Sequence, residues 1–274
     1  MSKKVHLFYW SSPVFENKPK DNYGDILSAY IVSQLSGNEV IFYNAPASRK
    51  QLFKKKYLMA IGSILRYASS KATVWGSGII SKDDTPGDAQ YCAVRGPLSR
   101  KRIQQLGYTC PEVYGDPALV LPNYYKPEVA KKYKLGIVPH YVDYDQVQQD
   151  YNEQHDNKVI DLMTDDPLAT TDEILECDAI VSSSLHGVIV AHAYSIPAIW
   201  VQFSDKLSGD NTKYADYFLS VEIAPYQATK ITEQYTQQSF VQLIQESEHL
   251  PDAAYLKQIT DRLLAAFPKE FLTA

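Results

Sequence analysis

Short apolar runs closed by turn residues alternate along the chain with stretches whose apolar residues recur at helical spacing. That alternation is the signature of α/β layering around a mostly parallel sheet. Residues 5–10 read as the first strand. After a loop over 11–23, Asp25 can cap a helix with Ile26, Leu27, Tyr30, Ile31 and Leu35 on one face and Gly37 as its stop. Strands are predicted at 39–43, 57–61, 73–75 and 91–94, then a helix that opens on Pro97 and stops at Gly107. A second series follows the proline-containing stretch 121–127, with strands at 134–138, 158–162, 179–182 and 198–202 and helices at 171–176 and 186–194. Over 250–267, Ala254, Leu256, Ile259, Leu263, Leu264 and Phe267 are spaced for one broad face of a final amphipathic helix. The pattern predicts two Rossmann-like halves, 1–125 and 126–274, with the last helix in the second. A ligand then belongs in the cleft between them, at the carboxyl ends of the strands.

Composition adds bounds. A chain of 274 residues with 45% hydrophobic and 22% charged residues is an ordinary globular protein of one large or two smaller domains, which excludes disorder. A net charge of −5 argues against a dedicated nucleic-acid binder, so any anion site must be local. No apolar run approaches the roughly 18 residues of a membrane span, and residues 5–10 are too short and aromatic for a secretory signal. The expected location is the cytoplasm. Cys92, Cys110 and Cys177 lack metal-ligand or disulfide spacing and read as core residues of a reducing compartment. The 21 tyrosines offer flat faces with polar tips, suited either to packing or to sugar rings.

The chemistry-bearing residues fall at the seams where strands give way to helices. In Ser182-Ser-Ser-Leu-His-Gly187, a helix N-terminus with the hydroxyls of Ser182, Ser183 and Ser184 can form a phosphate or carboxylate site. His186 there either moves a proton or caps its own turn, whereas His192, deeper in the helix, reads as core. Arg95, before Gly96-Pro97, is expected to face the cleft and offers a planar fork to a carboxylate or phosphate. Arg100, Lys101 and Arg102 read as a solvated face. Gly62-Ser63 and Gly76-Ser77-Gly78 follow strands and let backbone approach a ligand, although neither fits a dinucleotide fingerprint or a P-loop. Trp75 either stacks on a sugar or fills the core. Asp25 and Asp116 are candidate general bases, or else a cap and a turn residue. His140, Asp143 and Asp145 have no metal-site spacing, and no metal is assigned. The basic run of Arg49, Lys50, Lys54, Lys55 and Lys56 is either a solvated face or a contact for an anionic membrane or a diphosphate.

Taken in order, Asn22-Tyr-Gly-Asp25, Ala60-Ile-Gly-Ser63, Trp75-Gly-Ser-Gly78, Val94-Arg-Gly-Pro97, Val113-Tyr-Gly-Asp-Pro117 and Ser183-Ser-Leu-His-Gly187 resemble the polysaccharide pyruvyl transferase family. The likeness is closest to the exopolysaccharide ketal-pyruvate transferases of the xanthan type and runs over about residues 20–205. It implies a GT-B-like fold of two Rossmann-like domains, phosphoenolpyruvate as donor, and a saccharide acceptor on a lipid-linked repeat unit at the inner membrane face. It requires no cofactor. It further implies that Arg95, Leu185 and His186 bind the donor, while the seams themselves offer Ser183, Ser184, Gly62, Ser63, Gly76, Ser77 and Asn22 as further substrate contacts. His186 with Asp25 or Asp116 would then carry the proton transfers. Many members place an arginine directly before the Leu-His pair, where Ser184 stands here. One donor-binding cation is therefore unassigned, with Arg66 and Arg100 as candidates. The product is a cyclic pyruvate ketal or an open enolpyruvyl ether. Two rival classes share the architecture: a nucleotide-sugar glycosyltransferase, which binds a nucleoside diphosphate, and a non-catalytic carbohydrate-binding protein, against which the pairing of Arg95 with His186 speaks.

Overall fold

Every predicted apolar run becomes a strand in the computed structural model, which describes residues 4–48, 55–151, 156–232, 235–246 and 250–273. The first half contributes β1 (Lys4–Phe8), α1 (Ser12–Glu16), β2 (Asp21–Asn22), α2 (Tyr23–Ser36), β3 (Glu39–Phe42), α3 (Ala45–Ser48), β4 (Tyr57–Met59), β5 (Ala72–Trp75), β6 (Gln90–Ala93) and α4 (Pro97–Gln105). The second contributes β7 (Leu135–Val138), α5 (Tyr144–Tyr151), β8 (Asn157–Val159), β9 (Met163–Thr164), α6 (Pro167–Leu175), β10 (Ile180–Ser182), α7 (Leu185–Ala193), β11 (Ala198–Gln202), α8 (Thr212–Ser220), β12 (Thr229–Lys230), α9 (Gln237–Gln245) and α10 (Ala253–Ala265).

Two five-stranded sheets result, in the orders β3-β1-β4-β5-β6 and β12-β11-β10-β7-β8, with parallel pairing throughout. Strands covered on both faces need no polar alternation, which is why β4 and β7 are apolar and buried at every position. The short antiparallel pair β2 and β9 joins the halves, with Asp21 opposite Thr164 and Asn22 opposite Met163. The largest apolar cluster also draws on both sheets, from Val5, Leu7, Leu58 and Trp75 to Val138, Ile180 and Trp200.

The final helix, allotted by sequence to the second half, folds back on the first. Trp75 Nε1 donates to the Leu263 carbonyl at 2.7 Å, and Phe267 packs edge-on against the same indole. Thr273 N and Asn38 Nδ2 close the end of the chain onto α2, donating to the Ser36 and Phe271 carbonyls. Trp75 therefore fills the core.

Three local expectations are corrected. The cap of α2 is Asn22, whose Oδ1 accepts from Gly24 N, so the helix starts earlier and Asp25 lies in its first turn. The loop 11–23 contains α1 and β2, and α3, α5, α8, α9, β9 and β12 were not predicted. Lys55 and Lys56 are exposed, whereas Arg49, Lys50 and Lys54 lie outside the described residues. Among the described residues no helix is long and apolar enough to cross a membrane.

Candidate active site

The turns after β1, β4, β5, β7 and β10 converge on one cavity of about 410 Å³, lined in part by Asn22, Asp25, Gly62, Ser63, Ser184, Leu185 and His186. Strands of both sheets thus point their carboxyl ends at a common space, where α/β proteins place their ligands. The volume lies within the range of small-molecule sites.

Asp25 reaches the cavity because the Asn22 cap starts α2 just before it, leaving its carboxyl beside the backbone of Gly62. Burial first, then the neighbouring Asp21 and Glu16, raise its pKa well above the ordinary carboxyl range, and Lys213 opposes them. A carboxyl so placed holds a proton more tightly than an ordinary one.

His186 stands in the first turn of α7, whose N-cap is Ser184. Gly187 lets this helix end sit tight on β10, since a Cβ there would meet Ser182 Oγ at 2.3 Å. The imidazole is wedged between two elements. On one side Gly24 presses on it so closely that a Cβ would lie 1.9 Å from Nδ1. On the other, Nε2 faces Asp116 Oδ2 at 3.7 Å, too far for a hydrogen bond. Both facing atoms are buried and neither has a hydrogen-bond partner. Asp116 caps the 3₁₀ segment Pro117–Asn123 through Oδ1, and it backs His186 rather than lining the cavity.

Arg95 is fully buried instead of facing the cleft. Its guanidinium pairs with Asp216 of α8 at 3.2 Å and donates to the Ile79 carbonyl and, at 2.7 Å, to Ser63 Oγ. It reaches the cavity only through Ser63. Ser77 is fully buried and donates to the Ala60 carbonyl, and Gly76 fits a left-handed turn against Pro117, so neither predicted substrate contact lines the cavity. The Ser182 and Ser183 hydroxyls are engaged by backbone, Ser182 with Val138 and Ser184, and Ser183 with His140 N. Ser184 alone of the three lines the cavity. Of the two candidate cations, Arg66 lines it and pairs with Asp84 at 3.6 Å, while Arg100 turns away to Glu112 and the Cys110 carbonyl.

Sequence reasoning missed several lining residues. Lys213 comes from α8, a helix legible in the spacing of Tyr214, Tyr217, Phe218 and Val221, though no motif marks the lysine. Burial, then Arg95, lower its pKa to about 8, with Asp25 pulling the other way. His140 is held at about 3 by burial, Lys213 and Lys18, and so presents a neutral imidazole. Trp10, Tyr67 and Tyr141 add aromatic surface. Glu16 fixes two of them, accepting from Trp10 Nε1 at 2.7 Å and from the Tyr141 hydroxyl at 3.0 Å. Among the described residues no cluster of three or more His, Cys, Asp or Glu side chains could hold a metal ion.

The cavity at paired parallel-sheet ends thus combines a helix N-terminus, a carboxyl, an imidazole and an aromatic flank, the groups of a small-molecule site able to hold an anion and move protons. The sequence profile of the polysaccharide pyruvyl transferase family matches residues 22–205, a span that holds Asn22, Asp25, Arg95, Asp116 and His186, and the chain belongs to that family. It is also similar to an uncharacterized protein of Acanthamoeba polyphaga mimivirus, 28% identical over 222 residues that cover 78% of this chain and 74% of the viral one.

Proposed function

We propose that this chain transfers pyruvate from phosphoenolpyruvate to a saccharide of a polysaccharide repeat unit and closes a cyclic ketal. It does so on a GT-B-like pair of Rossmann-like domains that meet near residues 125–126. The observation that carries this reading is the convergence of Asp25, His186 and the N-terminus of α7 on one cavity.

On this reading the first-turn amides of α7 and the Ser184 hydroxyl take a charged group of the donor. Ser63, held from beneath by Arg95, contributes a second polar contact. His186, directly or through a water it orients, gives a proton to the methylene carbon, which leaves the neighbouring carbon electrophilic. A sugar hydroxyl attacks that carbon while Asp25 takes its proton. The carbon–oxygen bond to phosphate breaks, phosphate leaves, and a second hydroxyl of the same sugar closes the ketal. Of the protons given up by the two hydroxyls, one balances the proton added to the methyl group and one leaves with phosphate, so nothing is oxidised or reduced. Asp116 serves as the positioning group behind His186, closing the 3.7 Å gap to Nε2 when the imidazole carries charge. Trp10, Tyr67 and Tyr141 give the acceptor ring flat apolar surface.

Thermal unfolding tests the donor. Phosphoenolpyruvate is expected to raise the midpoint and nucleotide sugars to leave it unchanged. A shift only with nucleotide sugars would make the protein a glycosyltransferase instead.

A further inference from the structure

The charged groups around the cavity are unevenly matched. Arg66 is paired with Asp84, Lys18 with Glu16, and Arg95, beneath the floor, with Asp216. Lys213 lines the cavity without any carboxylate at ion-pair distance among the described residues; its ammonium lies 5.2 Å from the ring centroid of Tyr214. The ionisable groups around it are Asp25 of α2, Glu16 of α1, Arg66, His140, His186 of α7 and the underlying Arg95. Burial costs the charged form of a lysine unless a counter-ion stands beside it, and among the described residues Asp25 is the neighbour that raises its pKa.

The lysine is not a loose surface residue, because α8 is fixed on both sides. Asp216, one turn further on, accepts from Ser99 N at 2.9 Å and Ser99 Oγ at 2.6 Å and pairs with Arg95. Tyr214 donates to the Ser183 carbonyl at 2.7 Å, which ties the first turn of α8 to the turn that opens α7. Lys213 and the amino end of α7 at Ser184 are thereby held on one cavity wall system, and both favour negative charge.

We propose that Lys213 is the side-chain cation that holds an anionic group of the donor, supplying the charge that Ser184 does not. This inference rests on the reading of the cavity as a phosphoenolpyruvate site. The ammonium acts as a point charge toward the phosphate or carboxylate, and the α7 amides give it direction.

The test titrates phosphoenolpyruvate, and inorganic phosphate as a second probe, into wild type, Lys213→Met and Lys213→Arg, followed by calorimetry and thermal unfolding. Wild type is expected to bind phosphoenolpyruvate, Lys213→Met to bind it at least about tenfold more weakly, and Lys213→Arg to recover most of the affinity. Ligand-free midpoints at or above the wild-type value are expected for Lys213→Met, since it removes a partly buried charge with no carboxylate at ion-pair distance among the described residues. Equal binding by wild type and Lys213→Met would overturn the role of Lys213 and leave the proposed function standing. No binding of phosphoenolpyruvate by wild type would overturn both.

Discussion

Removal of Arg95 should cost stability before it costs chemistry. Its side chain is 1% exposed and that of Asp216 fully buried, with Nη2 and Oδ2 at 3.2 Å. In Arg95→Ala the Asp216 carboxylate keeps its two bonds from Ser99 but loses its counter-charge. Breaking a buried pair from one side costs about 3–5 kcal/mol. At about 2–4 °C per kcal/mol for a chain of this size, the midpoint should fall by roughly 6–20 °C. Asp216→Ala should fall comparably, because it leaves the guanidinium unmatched beneath Ser63. The double substitution Arg95→Met with Asp216→Leu removes both charges and fills the space, so it should recover most of the loss. Calorimetric and urea unfolding of the four proteins at one pH closes the cycle. The reasoning is refuted if Arg95→Ala stays within about 1 kcal/mol of wild type, or if the double variant loses the sum of the two single losses. Activity of any Arg95 variant is then to be measured well below its own midpoint.

Other expectations follow from the packing around His186 and Asp25. Gly24→Ala puts a methyl 1.9 Å from His186 Nδ1. The ring must retreat by about 1.5 Å toward Asp116 to reach contact distance, so kcat should fall on the order of 100-fold and ligand-free stability by about 1–3 kcal/mol. Asp25→Asn should raise the unfolding midpoint at neutral pH and cut turnover at least about 100-fold. The sign follows from the raised pKa of Asp25: the fold favours its protonated form, and that contribution, full below the unfolded carboxyl pKa, is lost as pH rises through the folded one. Donor affinity should weaken as pH rises through about 8, where Lys213 loses its charge, and should stay level over that range in Lys213→Arg.

The strands were legible because parallel strands buried on both faces leave plain apolar runs such as Tyr57-Leu-Met59 and Leu135-Gly-Ile-Val138. The seams were legible for the same reason, since His186 and Asp25 interrupt or follow such runs. What escaped depends on partners far away in the chain. Arg95 sits where a strand yields to a helix, as a cleft residue would, yet it turns inward to a carboxylate on α8 that no local pattern announces. Asp25 and Asn22 are both capping residues by chemistry, and only the pairing of β2 with β9 decides that the helix starts at Tyr23. Lys213 is a lone lysine in a stretch without motifs, and its meaning comes from burial and from Tyr214 and Asp216 fixing α8. The return of α10 to Trp75 is likewise a tertiary fact, because an amphipathic helix does not name the face it covers.

The most direct test of the account is to follow phosphate release and acceptor mass together, with phosphoenolpyruvate as donor and a panel of oligosaccharides that present neighbouring hydroxyl pairs. The account predicts one phosphate per acceptor modified, a product carrying a pyruvate methyl signal with no vinyl protons, and loss of both signals in His186→Ala. Unimpaired turnover by His186→Ala at saturating donor, or sugar transfer from a nucleotide sugar with release of a nucleoside diphosphate, would contradict it.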